Sequence, residues 1–295
     1  MIALDPRRLF ARLASDIPSP LRRHLLIVGS LAAAYHFRRQ MKRRGVNTKD
    51  ADVLIQPAGD VNSCARLAER LLALGWSPTE KCRPHPRPGP KDALRFIRLH
   101  PPDSRDYFLE LLALPEEGQR TPLAILPVRL RDGWYGLCSH RYMRLADAGR
   151  LASAEGIDYA APPMMALSNL LSHPTLGVQR MSDPVRGRVI LRAAKDLGRV
   201  LALAWFEGRE GVGAWVPAWR KALPRCFPRG WKTLAARAGD GLRALLADPA
   251  ALAEAHLTAM VGLLRGQDVT LDAFRAAGER FLVDAVEPLS AVSRL

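Results

Sequence analysis

The sequence predicts an α/β (α+β) domain with a short mixed sheet, followed by an all-helical domain. In the first half of the chain, short apolar runs such as residues 25–29 and 107–113 alternate with helical patterns. After about residue 142, Ala and Leu at helical spacing dominate. Because 295 residues exceed the usual size of one domain, we expect domains over residues 1–145 and 146–295.

The elements of the first domain follow from apolar periodicity and from Gly and Pro. Pro6 suits the first turn of a helix over residues 6–15, and a strand at 24–29 leads into a helix from Ser30 to about residue 41. A strand at 51–56 and a helix at 61–74 come next, and the proline-rich segment 78–92 is predicted to be an unpaired loop. Strands at 94–100 and 107–113 form one predicted hairpin, and strands at 123–130 and 134–138 another.

Helical spacing in the second half predicts helices at residues 142–154, 163–172, 184–206, 231–247, 249–265 and 270–285. Trp215, Trp219 and Trp231 stand among basic residues near the middle of this region. Aromatic rings among cations suit single-stranded RNA. Trp215 and Trp219 are one helical turn apart, however, and we favour core packing for them.

The net charge is +15, and two segments, residues 1–48 and 207–237, hold most of the excess. This clustering favours a polyanionic partner such as RNA, DNA or nucleotide phosphates. The alternative is a set of solvated helix faces, and composition alone favours neither.

Composition also bears on the compartment. No apolar run approaches the ~20 residues that span a bilayer, so we expect no membrane partner. The first twenty residues lack the pattern of a secretory signal. The four cysteines form neither a disulfide framework nor a paired zinc knuckle, so we expect a cytoplasmic protein.

Three carboxylates are the candidate catalytic and metal-binding residues. Asp50 and Asp52 share one face of a strand and lie ~7 Å apart along it, so they repel each other unless a cation lies between them. Glu110 stands in an otherwise apolar strand, where an unpaired carboxylate would be costly to bury. If the two strands are neighbours, Glu110 becomes a third ligand for Mg²⁺ or Mn²⁺. Otherwise it is an edge-strand glutamate that faces water.

Gly29 and Ser30 stand where a strand meets a helix. Backbone N–H groups and a hydroxyl at such a junction can bind phosphates, although an ordinary helix start has the same composition. The end of this helix and the residues beyond it form a basic cluster that we expect to attract phosphates, namely Arg38, Arg39, Lys42, Arg43 and Arg44.

Together these motifs resemble the polymerase-β-type nucleotidyltransferase superfamily, in particular its AbiEii-like branch of abortive-infection-toxin-like proteins. The resemblance covers residues 20–115 and rests on Gly29-Ser30, on the run Thr48-Lys49-Asp50-Ala51-Asp52, and on Glu110. A fainter likeness extends to Lys195-Asp196-Leu197.

The resemblance implies transfer of an NMP from an NTP to an acceptor hydroxyl on tRNA, another RNA, a protein or a small molecule. Asp50, Asp52 and Glu110 would hold two metal ions, and Glu110 would help to activate the acceptor. It further implies a toxin-like role with a cognate antitoxin-like partner, and it assigns nucleotide binding to Gly29, Ser30, Lys49, Lys195 and Asp196.

Some positions depart from the family pattern. Val46 stands where the family often has Arg, Asn169 where it has Lys, and Glu110 where Asp is more usual. These departures keep a second interpretation open, in which a catalytically weak protein of the same fold acts as an RNA- or partner-binding module.

Overall fold

A computed structural model describes residues 3–42, 45–55, 61–87, 94–181 and 184–291. Contacts divide these residues into two compact units. The first comprises the described residues of Met1–Tyr35 and Gly45–Ala160, and the second those of His36–Arg44 and Ala161–Leu295. Residues 146–160, which we expected in the second domain, therefore lie with the first.

The first unit is mixed α/β. In chain order its elements are β1 (Ala3–Leu4), α1 (Pro6–Asp16), α2 (Ser19–Arg22), β2 (Leu25–Ile27), α3 (Gly29–His36, whose last residue is counted with the second unit), β3 (Val46–Asn47), β4 (Asp50–Ile55), α4 (Val61–Ala73), β5 (Ser77–Pro78), β6 (Arg98–His100), β7 (Phe108–Ala113), β8 (Leu123–Leu130), β9 (Gly133–His140), α5 (Met143–Ala148), β10 (Arg150–Leu151) and β11 (Asp158–Ala160).

The second unit is helical. Its elements are α6 (Pro162–Leu176), α7 (Arg192–Gly213, kinked at Gly208), α8 (Trp215–Cys226), α9 (Trp231–Arg237), α10 (Asp240–Ala247), α11 (Pro249–Val261), α12 (Leu271–Phe281), a π-helical turn (Leu282–Val286) and α13 (Glu287–Ala291). The prediction of a mixed α/β region followed by a helical region is confirmed.

The main sheet is mixed and, among the described residues, has nine strands. Its path runs β10-β11-β2-β4-β7-β6-β5, with β9 pairing β7 and β8 pairing β9. In the centre, β2 is antiparallel to β4, β4 is parallel to β7, and β7 is antiparallel to β6. β4 and β7 are inner strands of this sheet, and every residue of β4 has a register partner on β7.

Local sequence explains where several elements begin. The Asp5 carboxylate accepts hydrogen bonds from the backbone N–H groups of Arg7 and Arg8 at 2.9 and 3.3 Å, and Pro6 is the first residue of α1. In β4, the buried Ala51 and Val53 alternate with the half-buried Asp50 and Asp52. In its first four residues, β4 thus has one apolar, buried face, formed by Ala51 and Val53, and one face that carries the two carboxylates.

Several predictions of secondary structure were wrong in detail. The helix expected over 142–154 ends at Ala148, and β10 and β11 follow it as short paired strands. Pro78, expected in an unpaired loop, pairs with Leu99. No helix was predicted over 215–226, where Pro217 and Pro224 interrupt the pattern, yet α8 occupies this range.

No helix within the described ranges has the length and apolar character needed to cross a membrane.

Candidate active site

The two aspartates of β4 lie on its half-buried face. Thr48, itself buried just before the strand, donates its hydroxyl to Asp50 Oδ1 at 2.5 Å. This hydrogen bond orients one oxygen of the Asp50 carboxylate, and the donor is itself restrained because the β-branched threonine has few rotamers. The threonine two residues before Asp50 therefore has a structural role, because its hydroxyl orients the carboxylate of Asp50.

Glu110 lies directly beside Asp52. The parallel pairing of β4 with β7 places Asp52 opposite Glu110 and Asp50 opposite Phe108. Residues opposite each other in a sheet project from the same face, so Asp50, Asp52 and Glu110 share one face. The two strands are therefore neighbours, and Glu110, at 9% exposure, is not a water-facing edge residue.

Arg98 is a member of this site that sequence reasoning missed. It lies opposite Glu110 on β6, and its Nε and Nη2 donate to Glu110 Oε2 and Oε1 at 3.1 and 3.2 Å. The antiparallel hairpin predicted from strands at 94–100 and 107–113 is confirmed. The connection spans 101–107, one residue more than the predicted strand ends leave, and in the observed register Arg98 lies opposite Glu110.

The guanidinium of Arg98 is held by rings as well as by charge. Its central carbon lies 5.8 Å from the ring centroid of Phe96 and 5.4 Å from that of Phe108. Burial opposes its charged form, but the charge and hydrogen bonds of Glu110, followed by the charges of Asp50 and Asp52, outweigh burial and raise the pKa of Arg98. Arg98 is therefore a permanent cation that both aspartates and Glu110 attract.

The two aspartates of this face suit a divalent cation, whereas Glu110 does not complete the site as expected. Asp50 and Asp52 offer carboxylate oxygens, which Mg²⁺ and Mn²⁺ prefer. Among the described residues, however, no group of three Asp, Glu, His or Cys side chains is arranged to hold a metal ion. The expected third ligand, Glu110, has both carboxylate oxygens bonded to Arg98.

Gly29 begins α3 beside the carboxylate of Asp52. It has a φ of +73°, and a Cβ built on it would lie 2.8 Å from Asp52 Oδ2. The backbone N–H of Val28 donates to the Asp52 carbonyl oxygen at 3.0 Å, which ties the start of α3 to β4. Because only glycine fits this approach, the strand-to-helix turn and the aspartate form one structural unit.

The remaining predicted phosphate-binding residues are spread along the chain. Ser30 is the second residue of α3, and Lys49 is exposed just before β4. The basic cluster begins beyond the helix and not within its last turn, because α3 ends at His36 and not near residue 41. Its exposed members Arg38, Arg39 and Lys42 follow the buried Phe37, whereas Arg43 and Arg44 lie outside the described residues.

Lys195 and Asp196 lie on α7 in the second unit. Asp196 is 6% exposed and forms ion pairs with Arg192 at 3.3 Å and Arg199 at 3.8 Å. Asn169, which stands where the family has Lys, is on α6, and its buried Nδ2 has no hydrogen-bond partner in the described structure. The second unit thus contains a buried carboxylate paired with two arginines and, on another helix, a buried amide.

The tryptophans confirm core packing. Trp219 is fully buried and donates its indole N–H to the Pro163 carbonyl oxygen at 2.8 Å, and Trp215 is also buried. Both rings pack against Phe281, with centroid distances of 5.8 Å for Trp215 and 6.0 Å for Trp219. Neither ring is available for stacking on a base.

Comparison with known proteins adds no further assignment: no protein-family model, no curated protein and no solved structure matches the chain.

Proposed function

We propose that this protein is a metal-dependent nucleotidyltransferase. It would transfer an NMP from an NTP to an acceptor hydroxyl and release pyrophosphate. The observation that carries the proposal is the in-register placement of Asp52 beside Glu110, with Asp50 on the same face and the start of α3 against Asp52. Carboxylates beside a helix N-terminus combine a cation site with a phosphate site.

The residues around Asp50 and Asp52 have separate roles in this proposal. A divalent cation held by Asp50 and Asp52 would neutralise the triphosphate and polarise the α-phosphate. Gly29 and Ser30 would bind phosphate oxygens at the positive end of α3. Thr48 keeps the Asp50 carboxylate in one orientation. In the transfer, the acceptor oxygen would bond to the α-phosphorus, the bond from the α-phosphorus to the bridging oxygen of the β-phosphate would break, pyrophosphate would leave with that oxygen, and the hydroxyl proton would pass to water.

The charge of the chain supports RNA or tRNA as the acceptor. The net charge is +15, and Arg38, Arg39 and Lys42 are exposed cations. The four cysteines, all in the described ranges, are buried and form no disulfide. The proposal therefore includes a cytoplasmic location, where thiols stay reduced.

The test is transfer of label from each α-³²P-NTP, with Mg²⁺ or Mn²⁺, to bulk tRNA, total RNA and cell lysate. We expect labelled product with the wild type and a loss of about 10³-fold or more for the Asp50→Asn/Asp52→Asn double variant. The matched control is Glu116→Gln/Glu117→Gln, which removes the same charge from an exposed turn and should retain activity. Transfer that survives the aspartate substitutions would overturn the assigned site.

A second candidate is the binding module of the same fold. It is favoured by the pairing of Glu110 with Arg98, because a neutralised third carboxylate suits a protein that no longer activates an acceptor. A wild type that transfers no label to any acceptor, yet binds RNA without added metal, would support this function.

A further inference from the structure

We propose that Arg98 takes the place of a metal ion at Glu110, so that the site binds one divalent cation, through Asp50 and Asp52, and Glu110 is not a metal ligand. This inference rests on the proposed function, because it concerns the same carboxylates. It changes the expected number of metal ions from two to one. It also makes Arg98 the residue that positions the Glu110 carboxylate and neutralises its charge.

The contacts of Glu110 carry the first step. Each of its two carboxylate oxygens accepts a hydrogen bond from Arg98, and the two bonds are parallel and bidentate. A metal ion at Glu110 would have to displace at least one of these bonds from a buried carboxylate. The guanidinium already neutralises that carboxylate, so its buried charge does not need a second cation.

The setting of Arg98 carries the second step. Its strand register, its contacts with the rings of Phe96 and Phe108, and the charges of Asp50 and Asp52 all hold it at this position. A side chain with so many partners is pre-organised rather than placed by chance. It supplies at Glu110 the fixed positive charge that a second metal ion would otherwise bring.

The net charge of the cluster carries the third step. Three carboxylates and one guanidinium leave a net charge of −2 among these four side chains. One divalent cation balances that charge, whereas two would leave an excess of positive charge before any nucleotide binds. The absence of a three-ligand group among the described residues agrees with this count.

The test counts Mn²⁺ ions bound to the full chain, by calorimetric titration and by electron paramagnetic resonance of unbound Mn²⁺, without nucleotide. We expect one Mn²⁺ per wild-type chain and two per chain for Arg98→Gln, because Glu110 then becomes an uncompensated buried carboxylate beside Asp52. A wild type that binds two Mn²⁺, or an Arg98→Gln variant that binds only one, would overturn the inference.

Arg98→Gln alone leaves a buried charge without its partner and is the variant at risk of unfolding, so each variant is checked by circular dichroism. Arg98→Gln/Glu110→Gln keeps the net charge of the four side chains at −2 and provides the matched measurement. We expect one Mn²⁺ with an affinity within about threefold of the wild type, which is less than 1 kcal/mol. A loss of about tenfold or more would identify Glu110 as a ligand and refute the inference.

The outcomes also separate this inference from the proposed function. Two Mn²⁺ per wild-type chain, with transfer of label intact, would overturn the role of Arg98 and leave the nucleotidyltransferase proposal standing. Absence of Mn²⁺ binding in the wild type and in Arg98→Gln would overturn both. One Mn²⁺ without any transfer would support the role of Arg98 and count against the activity.

Discussion

Both units neutralise a buried carboxylate with arginine, but the arginine reaches it in different ways. Arg98 binds Glu110 from a neighbouring strand, and the pair exists only because the hairpin has one particular register. Arg192 and Arg199 bind Asp196 from its own helix, four residues before it and three residues after it. The first pair depends on the tertiary fold, whereas the second is set by helical spacing.

The balance of charge differs as well. Around Glu110, the carboxylates outnumber the guanidinium, so this cluster can still attract a divalent cation. Around Asp196, two guanidiniums outnumber the carboxylate, and the buried charge is already satisfied within α7. The comparison favours a binding role for the first cluster and a structural role for the second. Contact of Asp196 with a nucleotide stays a prediction.

The largest effect that tests this comparison is expected for Asp196→Ala. Removing the carboxylate leaves Arg199, whose side chain is 12% exposed, without its ion-pair partner. We expect the free energy of unfolding to fall by about 3–5 kcal/mol, as for other broken buried pairs, in urea unfolding followed by circular dichroism. The matched control is Asp240→Ala, where the side chain is 57% exposed and the pairs should contribute less than about 1 kcal/mol. Equal losses for the two variants would contradict a structural role of Asp196.

A smaller effect is expected for Gly29→Ala, which tests the binding role of the first cluster. A Cβ would lie 2.8 Å from Asp52 Oδ2, so the carboxylate or the start of α3 must move. We expect NTP and Mn²⁺ affinities, measured by calorimetry, to fall about tenfold, or ~1.4 kcal/mol. Gly118→Ala is the control, since its φ of +82° carries similar backbone strain and no atom lies within 4 Å of the added Cβ. Unchanged affinities in Gly29→Ala would remove the glycine turn from the site.

The two clusters also explain which parts of the site the sequence could predict. Asp50 and Asp52 share a face because of strand periodicity alone, and Gly29 marks the turn before a helix. Arg98 could not be assigned in the same way. Its pairing with Glu110 depends on whether the hairpin connection spans 101–106, as the predicted strand ends imply, or 101–107, and the Pro and Asp residues there fit both lengths.

The fold shows the same division between local and long-range information. Helices with an apolar period and a clear cap or stop, such as α1 and α4, were predicted within a few residues. The two-residue strand β10 was missed because so short a segment has no period, and it is held by pairing of Arg150 with Ala160 and of Leu151 with Tyr159. Such strands are a property of the assembled sheet rather than of their own residues.

The smallest effect concerns pH and the helical unit. Burial lowers the pKa of His173 from its ordinary value of 6.5, while the charges of Asp196 and Asp240 oppose this shift. The folded state therefore favours the neutral ring, so its contribution to stability is complete above pH 6.5 and is lost as the pH falls from 6.5 through the folded-state pKa. We expect a loss of at most about 1.4 kcal/mol per pH unit in that window, read from urea midpoints at pH 7.5 and 5.5.

Two variants sharpen this measurement. His173→Gln removes the titrating group, so its urea midpoint should fall less between pH 7.5 and 5.5 than that of the wild type. Asp240→Asn removes a charge that stabilises the protonated ring, so the folded-state pKa of His173 should fall further and the window of lost stability should widen. A window that stayed the same or narrowed in Asp240→Asn would show that the charge of Asp240 does not raise the pKa of His173, and burial alone would then account for the behaviour of the ring.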